Sequence, residues 1–284
     1  MPLSAHSHKR IYTLGPKGTF SNQAASMVKG PKCEEIRYCT TLQQITKAVE
    51  ADADSLGVLP IENSTSGIVA LAQDSLIQHD VVAIGELFID VHYALIGKVP
   101  PDQVSHYYCH AVAFNQCQNF ETDALVHAEV IYSNSNVHSA DLFLEHQDQP
   151  VAAIVPLQRA QEVAELRPFI LAENIQDIPN NRTRFLVIEK APEAYEPDFT
   201  KEKTSIYVKL HEDRHSLLFE LLREFHVFNI NLCRLESRPV TEKNWKYGFF
   251  IDFFNNHRTG MCLEALRSQQ IDYKILGSFS TLKP

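Results

Sequence analysis

The sequence predicts an α/β protein of two units, the first with mainly parallel sheets and the second in ferredoxin-like β-α-β-β-α-β order. Three observations carry this. Strand-like and helix-like patterns alternate through the first two thirds, a Pro- and acid-rich stretch interrupts them, and the element order changes beyond it. In chain order, "RIYTLG" is a strand, followed by the loop "PKGTFS" and a short helix through Ala24 and Val28. Thr40 and Gln43 have capping-box spacing ahead of the apolar stripe Leu42, Ile45 and Val49. Further strands are expected at 55–60, 81–86, 89–96, 129–133, 150–155, 169–172 and 183–189, with helices near 67–78, 115–126, 136–146 and 157–165. Two stretches, 85–90 and 173–181, are candidate crossings between two lobes, the second spanning about 88–172. Residues 191–202, "APEAYEPDFTKE", lack periodicity and are expected to link the unit at 8–190 to the one at 203–284. Beyond it come strand 205–210, helix 215–226, strands 230–238 and 247–254, helix 259–269 and strand 272–279. Two units imply that catalysis and regulation are separable.

Charge and composition exclude several classes. A formal net charge of −9 opposes general binding to nucleic acid or anionic membranes, leaving room only for a local basic pocket. No apolar run approaches the roughly 20 residues that cross a bilayer, and "MPLSAHSHKR" has no apolar signal core. The six cysteines show neither C-x-x-C pairs nor metal-ligand rhythm, so reduced thiols in a cytoplasmic protein are expected.

Three stretches have the chemistry of a binding site. In "LGPKGTFS" a tight loop precedes a helix whose free N–H groups, with Thr19 and Ser21, favour an anion; a well-capped turn explains the same residues. In "GVLPIENSTSGIVALA" the residues Asn63, Ser64, Thr65 and Ser66 stand between a strand end and a helix expected to begin near Gly67. Ligands of open α/β sheets collect there, and a cap needs only one such residue. In "NNRTRFLVI" the strand period puts Arg182 and Arg184 on one face and Thr183 on the other, which suits carboxylate recognition or an exposed basic strand start. His211 and His215 lack a third metal ligand, and His110, Gln116 and Cys117 lack an orienting group for covalent chemistry.

Taken in order, these motifs resemble those of the prephenate dehydratase family over about residues 10–279: "GPKGTFS", "PIENSTSGIV" and the catalytic "TRF". The last unit resembles an ACT regulatory module in "NINLCRLESRP" and "ILGSFS". The resemblance implies two catalytic lobes like those of type II periplasmic binding proteins, with a cleft between them. It implies loss of CO2 and water from prephenate to give phenylpyruvate, driven by aromatisation with neither cofactor nor metal. Thr183 would assist the leaving hydroxyl. Thr19, Ser21, Asn63, Ser64, Thr65, Gly67, Phe185, His110 and Ser135 would line the pocket, and Arg184 would pair a carboxylate. The alternatives are arogenate dehydratase and a non-catalytic amino-acid sensor. ACT modules pair side by side, so a homodimer or homotetramer is expected.

The chain departs from the family pattern in the second lobe. "CHAVA" at 109–113 replaces Ser-His-Pro-Gln-Ala, and Ser135-Asn136 replaces Ser-Thr, which reads as drift, with a changed substrate preference as the alternative. For the effector L-phenylalanine the resemblance points to His215, Ser216, Leu217, Asn231, Leu232, Glu236, Ser237, Arg238 and Pro239. The family's Gly-Ala-Leu helix start here reads His215-Ser216-Leu217, so phenylalanine inhibition is expected to be weak or absent.

Overall fold

The computed structural model describes residues 8–209, 216–239 and 247–283. The first lobe opens with β1 (Arg10–Leu14), α1 (Phe20–Val28), β2 (Glu35–Cys39), α2 (Leu42–Ala51) and β3 (Ser55–Asn63). It continues through β4 (Gly67–Ile68), α3 (Ala70–Gln78) and β5 (Val81–Asp90). The second lobe comprises β6 (Tyr93–Gly97), β7 (His106–His110), α4 (Ala111–Phe114), α5 (Gln118–Ala124), β8 (Glu129–Ser133), α6 (Asn136–Glu145), β9 (Val151–Pro156), α7 (Leu157–Glu162) and β10 (Ile170–Glu173). The chain then returns to the first lobe as β11 (Arg182–Lys190) and ends in β12 (Lys203–Lys209), α8 (Leu217–Val227), β13 (Leu232–Pro239), β14 (Tyr247–Phe254), α9 (Thr259–Ser268) and β15 (Tyr273–Thr281).

The second lobe has its own sheet, in the order β10-β6-β9-β7-β8. The other strands join one continuous sheet, β13-β14-β12-β15-β5-β11-β3-β1-β2, with β4 beside β3. Both sheets are mixed rather than mainly parallel. β11 returns antiparallel between β3 and β5, and β9 pairs parallel with β7 but antiparallel with β6. The first crossing lies at Val91 and His92, because 85–90 stays paired to β11 inside β5. The second, at 174–181, lies within the expected stretch.

Several local expectations shift for identifiable reasons. The cap of α2 is Thr41, whose hydroxyl accepts from Gln44 N, while the Gln44 side chain accepts from Thr40 N; the box sits one residue later than its sequence spacing suggests. The helix expected at 67–78 begins only at Ala70, because Gly67–Ile68 pairs back onto Glu62–Asn63 as a hairpin. The helix expected at 115–126 is broken, with Asp177 accepting from the N–H groups of Gln118 and Asn119 at the new start.

The C-terminal strands are not a detached unit. β15 pairs parallel with β5, and Gly277 (φ 147°) makes this approach possible: a Cβ there would collide with the Ala83 backbone. One apolar core runs across the junction, packing Leu59, Leu186 and Ile188 of the first lobe with Tyr207, Phe250, Leu276 and Phe279. The separable units expected from sequence are therefore joined by a sheet and a core.

Candidate functional site

Between the lobes lies a cavity of about 380 Å³. Its first-lobe wall includes Thr19, Ser21, Asn63, Ser66, Gly67, Thr183 and Phe185. Its second-lobe wall includes Tyr93, His110, Val112, Gln116, Ser135 and Asn136. The N-termini of α1 and α6 both open onto it. Thr19 caps α1, accepting from Asn22 N, and Ser135 caps α6, accepting from His138 N at 3.0 Å.

Asn63 organises the floor. Its Oδ1 accepts from Thr65 N at 3.0 Å and Ser66 N at 2.8 Å, closing the hairpin turn that Gly67 (φ 79°) completes. Those two backbone donors fix the amide orientation. Nδ2 must then face the other way, where it donates to Thr183 Oγ1 at 3.0 Å and Asn181 Oδ1 at 2.9 Å. The orientation propagates. Asn181 Nδ2 donates to Gln116 Oε1 at 2.8 Å, and Gln116 Nε2 donates to Ser66 Oγ at 2.8 Å. Asn181 and Gln116 are buried, so this amide chain ties both lobes and the crossing segment behind Thr183. Because Thr183 Oγ1 accepts from Asn63, its own hydrogen is left to point into the cleft.

The "ENSTSG" stretch is a hairpin turn rather than a helix cap. Asn63, Ser66 and Gly67 line the cavity, but Ser64 and Thr65 do not. Ser64 faces the return strand, accepting from Arg182 N at 2.9 Å, and Thr65 is exposed with its N–H committed to Asn63. The tight turn sends these neighbouring side chains in different directions.

Arg184 is a larger correction. Thr183 and Phe185 line the cleft, so strand alternation puts Arg184 on the reverse face. There its Nε donates to Glu86 at 2.7 Å and its Nη1 to Asp252 at 2.6 Å. Burial alone would push both carboxyls up, but Arg184, with Lys203 beside Glu86 and Arg234 beside Asp252, holds each below the usual range. A guanidinium committed to two buried carboxylates is not a substrate contact. Among the described residues, no Lys, Arg, Asp or Glu lines the cavity.

His110 also lines it. Burial lowers its pKa, favouring the neutral ring, and Nδ1 accepts weakly from Val112 N at 3.4 Å. Burial pushes the thiols of Cys109 and Cys117 well above the usual range, which removes them as nucleophiles. Among the described residues there is no group of three or more His, Cys, Asp or Glu side chains arranged for a metal.

The family model described as prephenate dehydratase matches residues 11–193. The chain belongs to the prephenate dehydratase family. It is 35% identical over 276 residues to the prephenate dehydratase of Methanocaldococcus jannaschii, covering 95% of this chain and 97% of that one. The crystal structure of prephenate dehydratase from Staphylococcus aureus Mu50 superposes with a TM-score of 0.79 at 30% identity, over 95% of this chain and 99% of that one. The prephenate dehydratase of Arthrobacter aurescens, solved in complex with L-Phe, gives 0.79 at 29% identity, over 95% and 90%.

Within this family frame, Gln116 and Asn136, both noted in the sequence, line the cavity, whereas Tyr93 in its wall and Asn181 behind Thr183 carry no sequence signal of their own. Gln116 and Asn181 were visible as residues but not as partners, because the contact between them spans 65 positions. Of the second-lobe departures, Val112 reaches the cleft and is 45% exposed, whereas Cys109 is buried behind it.

Proposed function

We infer that this chain catalyses the decarboxylative dehydration of prephenate to phenylpyruvate. The Thr183 hydroxyl, held by Asn63 as an acceptor at the cleft floor, is the observation that carries the reading. In the reaction the bond to the ring carboxylate breaks and its electrons enter the ring as CO2 leaves. Across the ring the C–O bond breaks, and the departing hydroxyl takes a proton, ultimately from solvent, to leave as water. Aromatisation drives both steps. Thr183 donates a hydrogen bond to the oxygen as negative charge develops on it, and the Asn63 amide stabilises the Thr183 oxygen in turn.

With no Lys or Arg among the described lining residues, the carboxylates are held by the N-termini of α1 and α6, with Thr19 and Ser135 adding hydroxyls. Tyr93, Gln116 and Phe185 complete the walls, and neutral His110 serves as a hydrogen-bonding group. Among the described residues the same lining has no carboxylate to receive the ammonium of arogenate, which supports prephenate as the substrate. Incubation with prephenate should produce phenylpyruvate, read by its ultraviolet absorbance, with arogenate turned over more slowly. Absence of phenylpyruvate would overturn the assignment.

We further propose that the C-terminal unit is an ACT-type module that responds weakly to phenylalanine. Asn231 precedes β13, Leu232 opens it, and Glu236, Ser237, Arg238 and Pro239 close it. Arg238 already donates to Asp74 of α3 at 2.8 Å, which ties this segment to the first lobe. The left-handed residue at the α8 start is Ser216 (φ 69°), followed by buried Leu217, while His215 lies outside the described residues. β13 ends the large sheet, so its outer edge supports pairing of two copies, which light scattering can test.

A further inference from the structure

The catalytic strand has a second face, and every strand of the C-terminal unit reaches it. The register pairs Thr183 with Asn63 and, one step on, Arg184 with Glu62. Thus each cleft residue has a charged neighbour on the reverse side. Arg184 binds Glu86 and Asp252, and stands 3.9 Å from Glu62. Arg234 on β13 lies 3.8 Å from Glu62 and 3.6 Å from Asp252. Lys203 on β12 and Thr281 on β15 both donate to Glu86. The side chains of Arg184, Glu86 and Asp252 are 9%, 0% and 1% exposed.

The β3–β11 register shifts between Arg184 and Phe185, leaving Ile61 as an extra residue on β3. The bulge bends β3 and interrupts that ladder, while the ladder to β5 runs on in register here, so the reverse-face side chains brace β11 on the side where its pairing is broken. We propose that Asp252 is a positioning residue for the dehydration: acting through Arg184, it sets β11 and thereby the Thr183 hydroxyl, making the C-terminal unit part of the catalytic apparatus. Asp252 never touches substrate. Its effect is on where the Thr183 hydrogen bond points, and that bond matters most in the transition state, so turnover rather than substrate affinity should respond.

The inference rests on the dehydratase reading, and the test separates the two. Steady-state rates with prephenate are measured for the wild type, Asp252→Asn, Arg184→Lys, Asp252→Glu and Lys274→Met. Arg184→Lys keeps the charge but cannot span Glu86 and Asp252 together, so it answers the question even if Asp252→Asn fails to fold. Lys274→Met breaks a different junction contact, the Nζ donations to the carbonyls of Leu76, Ile77 and His79. Displacing a reacting group by about 1 Å costs on the order of a hundredfold, so kcat should fall by about tenfold to a hundredfold in Asp252→Asn and Arg184→Lys. KM should stay within about twofold. Asp252→Glu should recover part of the loss, and Lys274→Met should keep kcat. Wild-type kcat in both of the first two variants overturns the inference, as does an equal loss in Lys274→Met, which would mark a general stability effect. An inactive parent would overturn the dehydratase reading together with this one.

Discussion

Asn63 gives one side chain two demands that only an amide meets, accepting from two backbone N–H groups and donating to Thr183 and Asn181. Thr183→Val keeps the shape and removes the hydroxyl, so turnover should fall on the order of a hundredfold or more, with folding unchanged by circular dichroism. Asn63→Asp is the more telling change. The new carboxylate cannot donate to Thr183 Oγ1; it instead accepts the threonine hydrogen, taking it from the cleft, and repels a dianionic substrate. We expect kcat to fall at least as far as in Thr183→Val and KM to rise as well, a split visible in steady-state rates. Near wild-type turnover in Asn63→Asp would mean that Asn63 does not orient Thr183. At this scale the sequence was legible where residues act locally. The strand period separated Thr183 from its arginine neighbours, and the clustering of amides and hydroxyls marked the turn. It was illegible where a partner is distant: nothing adjacent to Arg184 announces Asp252, 68 positions away, so its charge was read as facing a ligand.

Elements were legible to the extent that one period dominated them. β14 and α9 have clear patterns and lie close to their expected bounds. β2 was passed over because it is an edge strand whose pattern of exposed and half-buried residues gives no alternation, and β7 because histidines bracket its short buried run. α5 carries an unusual buried acid. Burial, then the charge of Asp177, pushes the Glu121 carboxyl up to about 8, with the Tyr107 hydroxyl pulling it back. The folded protein therefore holds a proton between pH 4.5 and about 8 that the unfolded chain has released. Since the unfolded state binds fewer protons there, stability falls as pH rises through this window, by up to about 1.4 kcal/mol per unit. Glu121→Gln removes the titration, so its melting temperature should decline less than that of the wild type from pH 5 to about 8. Parallel decline of the two proteins would show that Glu121 does not titrate in this range. The sequence substitution His215 motivates a second test: micromolar phenylalanine should leave the wild type largely uninhibited, and His215→Gly should gain sensitivity. Strong inhibition of the wild type would overturn that expectation.

At the scale of the molecule, the sequence located the change of element order at 191–202 but not what the two parts share. A linker composition reports that the chain is free of periodic packing for a dozen residues; it carries no information on whether the flanking units pack on each other. Here they do, and the consequence can be stated as a truncation. Ending the chain near Ala191 removes β15 from β5 and leaves a long apolar strand with an open edge. It strips Tyr207, Phe250, Leu276 and Phe279 from the core that contains Leu59, Leu186 and Ile188. It also leaves Arg184 without Asp252 and Glu86 without Lys203 and Thr281. Removing one partner from a buried ion pair costs about 3–5 kcal/mol, which is comparable to the whole stability of many domains, about 5–15 kcal/mol. The lost apolar burial adds to that. We therefore expect the truncated chain to be aggregated or unfolded and without dehydratase activity, and we expect co-expressed residues 192–284 to restore little, because the sheet must form across the break. Soluble yield, circular dichroism and phenylpyruvate formation test this together. A soluble, monomeric and active truncation would mean that the junction is dispensable, and with it the coupling of Asp252 to Thr183.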